Sequence, residues 1–181
     1  MAGEPPQETE VKLRLDDAEA GRALAAQLGA FLVQPRHFED NFLFDDATRS
    51  LAGRGALIRL RATPWAATLT YKGPREVVEG VKRREELESG VESAAALQQI
   101  LGRLGLRRVF RYQKYREVYE LDDVEIVIDE TPIGTFLEIE GPLEAIHRTA
   151  DALGFGAESY VVESYSALFA AGGGEGDMVF E

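Results

Sequence analysis

The chain has no cysteine and only two histidines among its 181 residues. The first absence excludes disulfides and thiolate chemistry. The second argues against a multi-histidine metal centre, so a bound metal would have to be held mainly by oxygen, which points to Mg²⁺ or Mn²⁺. Basic charge is also scarce, with 20 Lys and Arg against 32 Asp and Glu and a net charge of -12. Binding a phosphate backbone or an anionic membrane needs a basic surface, so neither nucleic acid nor membrane is an expected partner. No apolar run reaches the roughly 18 residues of a spanning helix, and "MAGEPPQE" lacks the basic-then-apolar order of a secretory signal. The expectation is a cytoplasmic protein, monomeric or homodimeric.

What is present is enough apolar material, 45% of the residues, for one buried core in a single domain. Residues 1–7 read as a flexible arm, 8–171 as the domain, and the Gly-rich "GGGEGDMVFE" at 172–181 as a loose tail. Helical spacing follows Asp16 or Asp17 (Ala20, Leu24, Ala25, Leu28, with a stop at Gly29) and Ser93 (Leu97, Ile100, Leu101, Leu104, stopping at Gly105). A third helix is expected after Pro142, through Ile146, Ala150 and Leu153, and a short fourth over 164–169. Period-two alternation marks strands at 8–15, 38–44, 56–62, 66–72, 80–89, 110–120, 123–129 and 135–141. Turn signals separate them at 45–48, 63–65, 72–76 and 122–123. Eight strands joined mostly by short turns imply an α+β fold whose antiparallel sheet curls or closes into a barrel, with the helices outside.

The strand faces are unusual. In "ETEVKLRL" Glu8, Glu10, Lys12 and Arg14 share one side, and Val11, Leu13 and Leu15 the other. The pattern recurs: Arg59 with Arg61, Lys72 with Thr70, Arg84 with Glu86 and Glu88, Lys114 with Arg116, Glu125 with Asp129, Glu138 with Glu140. A solvated outer face is the ordinary explanation for any one such strand. Taken together, however, the charges cluster by sign, and the helices need the apolar faces for themselves. If helices cover the outside, the charged face becomes the lumen, where unpaired charges cost several kcal/mol each. About six cations around a cavity suit a small polyanion, and neighbouring carboxylates suit the metal it brings. A triphosphate with Mg²⁺ meets that description. His37 reads as a histidine with a structural hydrogen bond, His147 as a solvated helix residue, and Asp45 and Asp46 as a turn.

With these residues in place, "E8-T-E10-V-K12" resembles the E-x-E-x-K signature of the CYTH superfamily, the triphosphate tunnel metalloenzymes. The resemblance continues through "DNFLFDD" at 40–46, "ALIRLR" at 56–61, "LTYKGP" at 69–74, "RREELE" at 83–88, "YQKYREVY" at 112–119, "IDETPIGTFLEIEG" at 128–141 and "ESYSALF" at 163–169. Phe42 stands where relatives often have tyrosine. The resemblance implies an eight-stranded tunnel in which Lys12, Arg59, Arg61, Lys72, Lys114 and Arg116 contact phosphate oxygens, with Arg84 a seventh. It implies that Glu8, Glu10, Glu138 and Glu140 hold the metal. Glu86 and Glu88 would orient basic groups, hold a second ion or position the nucleophile, and Asp129 would join the carboxylates through water. The expected reaction is metal-dependent hydrolysis of inorganic tripolyphosphate or a related organic triphosphate. The alternatives are a class IV adenylate cyclase and a non-catalytic polyphosphate or nucleotide binder.

Overall fold

The computed structural model describes residues 6–181; most of the arm expected at 1–7 lies outside these. The elements in order are β1 (Gln7–Leu15), α1 (Ala18–Leu28), β2 (Phe31–Asp45), α2 (Ser50–Gly53), β3 (Leu57–Ala62), β4 (Ala67–Lys72), β5 (Glu76–Val78), β6 (Val81–Val91), α3 (Ala94–Arg103), β7 (Arg107–Leu121), β8 (Val124–Thr131), β9 (Gly134–Glu140), α4 (Leu143–Ala152), a 3₁₀ turn at Ala157–Ser159, and α5 (Tyr165–Ala171). The four helices expected are all present, and α2 is an additional single turn.

All nine strands belong to one antiparallel sheet in the order β1-β9-β8-β7-β2-β3-β4-β6-β5, and a β1–β6 pairing brings its ends together as a ring. The ninth strand adds no ninth stave. β4 and β5 both pair with β6, their registers differ by one residue, and the Gly73 N–H still donates to Glu85 O (2.9 Å) between them. One stave is therefore interrupted at Gly73–Arg75, which reads as a turn in sequence because Gly-Pro breaks the alternation.

The outer faces carry the core. Val11, Leu13, Ile126, Ile128, Leu137 and Ile139 pack under Ala145, Ile146, Ala150 and Leu153 of α4 and its end, with Leu24 and Leu28 of α1 alongside. α1 begins where Asp17 accepts a hydrogen bond from the Ala20 N–H and ends at Gly29 with φ 74°, as its capping residues dictate. Gly21 lets it sit close: a Cβ there would come within 2.9 Å of Leu15 Cδ1 and 3.0 Å of Ile128 Cδ1. On the far side Phe44, Leu60 and Leu101 pack together under α3, joined by Phe42, Ile58 and Leu69.

The C-terminal segment departs from the loose tail expected. Met178 is 1% exposed and forms a parallel bridge with Tyr112, its N–H donating to Arg111 O and its carbonyl accepting from Gln113 N–H, both at 2.9 Å. Glycine spacing hid one buried methionine that anchors the segment. Met178 joins Tyr112, Phe136 and Tyr165, with Leu43, Phe110, Ile133 and Leu168, in an apolar cluster toward one end of the ring. Among the described residues no helix is long and apolar enough to cross a membrane.

Candidate functional site

With hydrocarbon outside, the alternation of each strand turns the charged side chains inward. A cavity of about 450 Å³ results, lined by residues from β1, β2, β3, β4, β6, β7, β8 and β9 and by Ser164–Ser166. Eight of the lining residues are Lys or Arg and seven are Glu. The lumen is thus nearly neutral as a whole and divided locally.

On the β1–β9–β6 side, single oxygens of Glu8, Glu10 and Glu140 all lie within 4.8 Å of one another. Glu10 Oε1 accepts from Lys12 Nζ at 2.6 Å and from Lys82 Nζ. Burial alone would raise the Glu10 carboxyl, but Lys12, Lys82 and Lys72 outweigh it and hold the group well below the ordinary carboxylate range. Glu8 Oε1 accepts from Lys72 Nζ at 2.5 Å, while its Oε2 is buried without a partner. Burial, reinforced by the carboxylates of Glu8, Glu10 and Glu125, pushes Glu140 up to about 8. Carboxylates crowded in this way fit a hard divalent cation, because such an ion relieves their repulsion and would use the orphaned Glu8 oxygen.

Glu140 also has a consequence for stability. A carboxyl whose folded pKa rises from 4.5 to about 8 leaves stability intact below its unfolded value, and the cost to the fold grows as pH climbs toward 8. In chelator, Glu140→Gln should therefore melt at about the same temperature as wild type near pH 5 and above it near pH 9. Parallel melting curves across that range would rule this out.

The second wall is formed by β7, β8 and β9. Arg116 donates from Nε to Asp129 Oδ1 (2.7 Å) and from Nη2 to Asp129 Oδ2 and Glu138 Oε2 (both 2.6 Å). Lys114 Nζ donates to Asp129 Oδ2 at 2.9 Å and lies 3.5 Å from Glu39 Oε2. The Tyr165 hydroxyl donates to Asp129 (2.9 Å) and to Glu138 (3.0 Å), and Lys12 Nζ is 3.1 Å from Glu138 Oε1. Two expectations change here. Asp129 is 0% exposed and is not among the residues lining the cavity; its oxygens are used in aiming Lys114, Arg116 and Tyr165. Glu138 faces the cavity, but its oxygens serve Lys12, Arg116 and Tyr165, so the carboxylates that converge are Glu8, Glu10 and Glu140 without it.

The third wall, β3–β4–β6, is more open. Arg59 Nη2 donates to Thr70 Oγ1 (3.2 Å), Glu86 Oε1 (3.4 Å) and Glu88 Oε1 (3.2 Å). Arg61 donates to Glu88 (3.1 Å) and to Glu39 (3.2 Å), and Lys72 Nζ lies 2.9 Å from Glu86 Oε2. Burial raises the Glu86 carboxyl more than Lys72 lowers it. For Glu88, burial is outweighed by the Thr70 hydrogen bond and by Arg61 and Arg59, so it stays low. Arg84 lines the cavity, yet its guanidinium donates to Gly73 O and lies 3.4 Å from Gly55 O, which ties down the β4–β5 break.

Four site residues have no role in the sequence reading, although Glu125 is placed there on the charged face of its strand. Lys82 has the same parity as Arg84 and Glu86 and could have been read from it. Glu125 shares the Asp129 face and directly opposes Glu140 across β8–β9. Glu39 lies in the regular run of β2 between its register shifts, paired with Lys114, and could have been read from the alternation of the strand expected at 38–44; Tyr165 enters from a helix. His37 has the structural bond expected, with Nδ1 2.9 Å from Pro35 O. His147 is not simply solvated, since its ring stacks on Tyr160 with centroids 5.8 Å apart. Asp45, expected in a turn, is instead the last residue of β2 and accepts from the Leu51 and Ala52 N–H groups at 3.0 Å, whereas Asp46 opens the turn that follows, its carbonyl accepting from Arg49 N–H at 3.2 Å.

The CYTH domain family profile matches residues 6–165. A protein of Methanocaldococcus jannaschii named "Putative adenylate cyclase" is 30% identical over 142 residues, covering 78% of this chain and 80% of the relative. A solved structure of a "putative adenylate cyclase" from Vibrio parahaemolyticus superposes with a TM-score of 0.81 at 17% identity, covering 92% of this chain and 99% of that one. A Hippeastrum protein, described as a putative adenylyl cyclase with a dominant triphosphatase activity, superposes with a TM-score of 0.65 at 21% identity, covering 91% and 96%.

Proposed function

This chain belongs to the CYTH domain family, and on that footing we propose that it is a metal-dependent triphosphatase, hydrolysing inorganic tripolyphosphate or an organic triphosphate inside the ring. The observation that carries this reading is the charge division of the lumen. Eight cations and seven carboxylates line one cavity, so a bare polyanion would meet nearly as much repulsion as attraction. A polyanion that arrives with a divalent cation exchanges partners instead: its oxygens take the Lys and Arg groups, and the released carboxylates face the metal. A simple anion binder would gain nothing from the convergence of Glu8, Glu10 and Glu140.

In this reading Arg59, Arg61, Lys72, Lys114 and Arg116 grip phosphate oxygens, joined by Lys12 and Lys82. The arginines offer a planar fork for two oxygens each and the lysines compact charges. Glu8, Glu10 and Glu140 would hold Mg²⁺ or Mn²⁺, which would supply positive charge against the charge that develops on the departing phosphate. Glu86, with its raised proton affinity, accepts the proton of the attacking water, and Glu88 keeps Arg59 and Arg61 aimed. Asp129 positions Lys114 and Arg116 from behind the wall.

Cyclisation of ATP is the second reading. The name of the Methanocaldococcus relative favours it, as does the presence of Leu43, Leu57 and Tyr112 in the lining. A phosphate- and cyclic-AMP-release panel with tripolyphosphate, ATP, GTP and thiamine triphosphate, in Mg²⁺ and in Mn²⁺, separates the two. Phosphate release without cyclic AMP is the expected result. Cyclic AMP from ATP would replace the first reading by the second, and no turnover of any compound would leave only a binding module.

A further inference from the structure

Trp65 is the one tryptophan of the chain, and it is 62% exposed. Exposed indole is uncommon unless it has something to meet, since it leaves a large apolar surface in water. It sits in the turn between β3 and β4, and that turn is not loose. Thr63 N–H donates to Ala66 O (2.9 Å), Ala66 N–H donates to Thr63 Oγ1 (3.0 Å), and Thr63 Oγ1 donates back to Ala66 O (3.1 Å). Pro64 fixes a further backbone angle. The indole is thus held on a stiff support.

Its position relative to the lumen follows from its neighbour. The Trp65 ring lies 4.9 Å from that of His37 at a tilt of 53°. His37 is an inward side chain, 3.7 Å from Glu39 Oε1, and the same oxygen accepts from Arg61 Nη1 at 3.2 Å. Arg61 lines the cavity and is the penultimate residue of β3, from which the Trp65 turn departs. A short chain of contacts, Arg61–Glu39–His37–Trp65, therefore leads from the cavity wall to the exposed indole. β3 runs antiparallel to β2, away from Leu43 and Phe44 toward Ala62, so Trp65 stands at the end of the ring opposite the apolar cluster that Leu43 shares with Met178.

We propose that Trp65 is a stacking platform for a flat aromatic head group, and that the substrate is accordingly an aromatic triphosphate ester, of the nucleoside or thiamine kind, in preference to bare tripolyphosphate. This rests on the reading of the lumen as a triphosphate site. The phosphates supply the grip, the indole distinguishes what is attached to them, and His37 backs the ring so that little order is lost on stacking.

The test compares substrates and uses a second signal that does not need turnover. Trp65→Ala should raise KM for ATP or thiamine triphosphate about tenfold relative to KM for tripolyphosphate, with Trp65→Phe recovering most of the difference. An unchanged ratio in Trp65→Ala, with the protein still folded by its melting curve, overturns the proposal. Independently, because Trp65 is the sole indole, its fluorescence should be quenched by ATP and by thiamine triphosphate but not by tripolyphosphate or methyl triphosphate. Equal responses to all four, or none to ATP, also overturn it. If wild type turns over nothing, the triphosphatase reading fails, and the fluorescence comparison still decides the role of Trp65.

Discussion

Glu10→Gln is expected to lower triphosphate turnover by at least about a hundredfold and to raise the Mg²⁺ concentration needed for half-maximal rate. The substitution keeps the volume and removes a charge that is shared by Lys12 and Lys82 on one oxygen and converges with Glu8 and Glu140. Glu138→Gln is expected to behave differently. Its oxygens hold Lys12, Arg116 and Tyr165, so its loss should disturb substrate affinity more than metal demand. Measuring rate against both Mg²⁺ and substrate for the two variants separates these effects. A Glu10→Gln protein with wild-type metal dependence would remove that residue from the metal site; identical profiles for the two variants would refute the division of the carboxylates.

The second large effect concerns stability. Asp129→Ala leaves Lys114, Arg116 and Tyr165 without the carboxylate that all three address. Removing one member of a buried, hydrogen-bonded charge set costs about 3–5 kcal/mol, because its partners stay buried and unpaired. In a chain of this size that is a fall in Tm on the order of 10 °C. The effect has a pH window. Burial raises the Asp129 carboxyl, but Arg116 and Lys114 outweigh it and bring it from 3.8 to about 2. A depressed acid stabilises the fold above its unfolded value and loses that contribution as pH falls through the folded one. The gap in Tm between wild type and Asp129→Ala should therefore be full at pH 7 and narrow between about pH 4 and pH 2. A constant gap would mean that the aspartate acts by packing alone.

Why Asp129 reads as a lumen residue in sequence, and is not one, shows where one-dimensional reasoning stops. Parity along β8 puts Glu125, Val127 and Asp129 on the inner face, and it does so correctly. Parity says nothing of height along the ring axis, which depends on the stagger between strands. Register pairs Asp129 with Arg116 on one side and Phe136 on the other, which sets it at the apolar end, whereas Glu125 opposes Glu140 at the cavity. The helices were legible because their caps are local: Asp17, Ser93 and Ser164 each accept from a first-turn N–H as their side chains allow. The long first half of β2 was not, since Pro35 and two register shifts interrupt its alternation. Tyr165 had no strand parity to reveal it, and only the packing of α5 against the ring brings its hydroxyl to Asp129 and Glu138.

The seam that closes the ring has a consequence for how the protein is made. β1 pairs with β6 through only Gln7–Glu10 and with β9 through Glu10–Leu15. β1 leaves the ribosome well before either neighbour: the one at residues 82–85 comes first, and the one at 135–140 only later. Pairings this distant in sequence form slowly, because the intervening chain must be ordered first. Glu8 and Glu10 ride on that waiting strand, so the acidic cluster cannot assemble around Glu140 until nearly the whole barrel has been synthesised. A nascent or truncated chain carries every cation of β3 and β4 but none of the geometry that would let them act, and the chemistry is completed by the same strand docking that completes the fold.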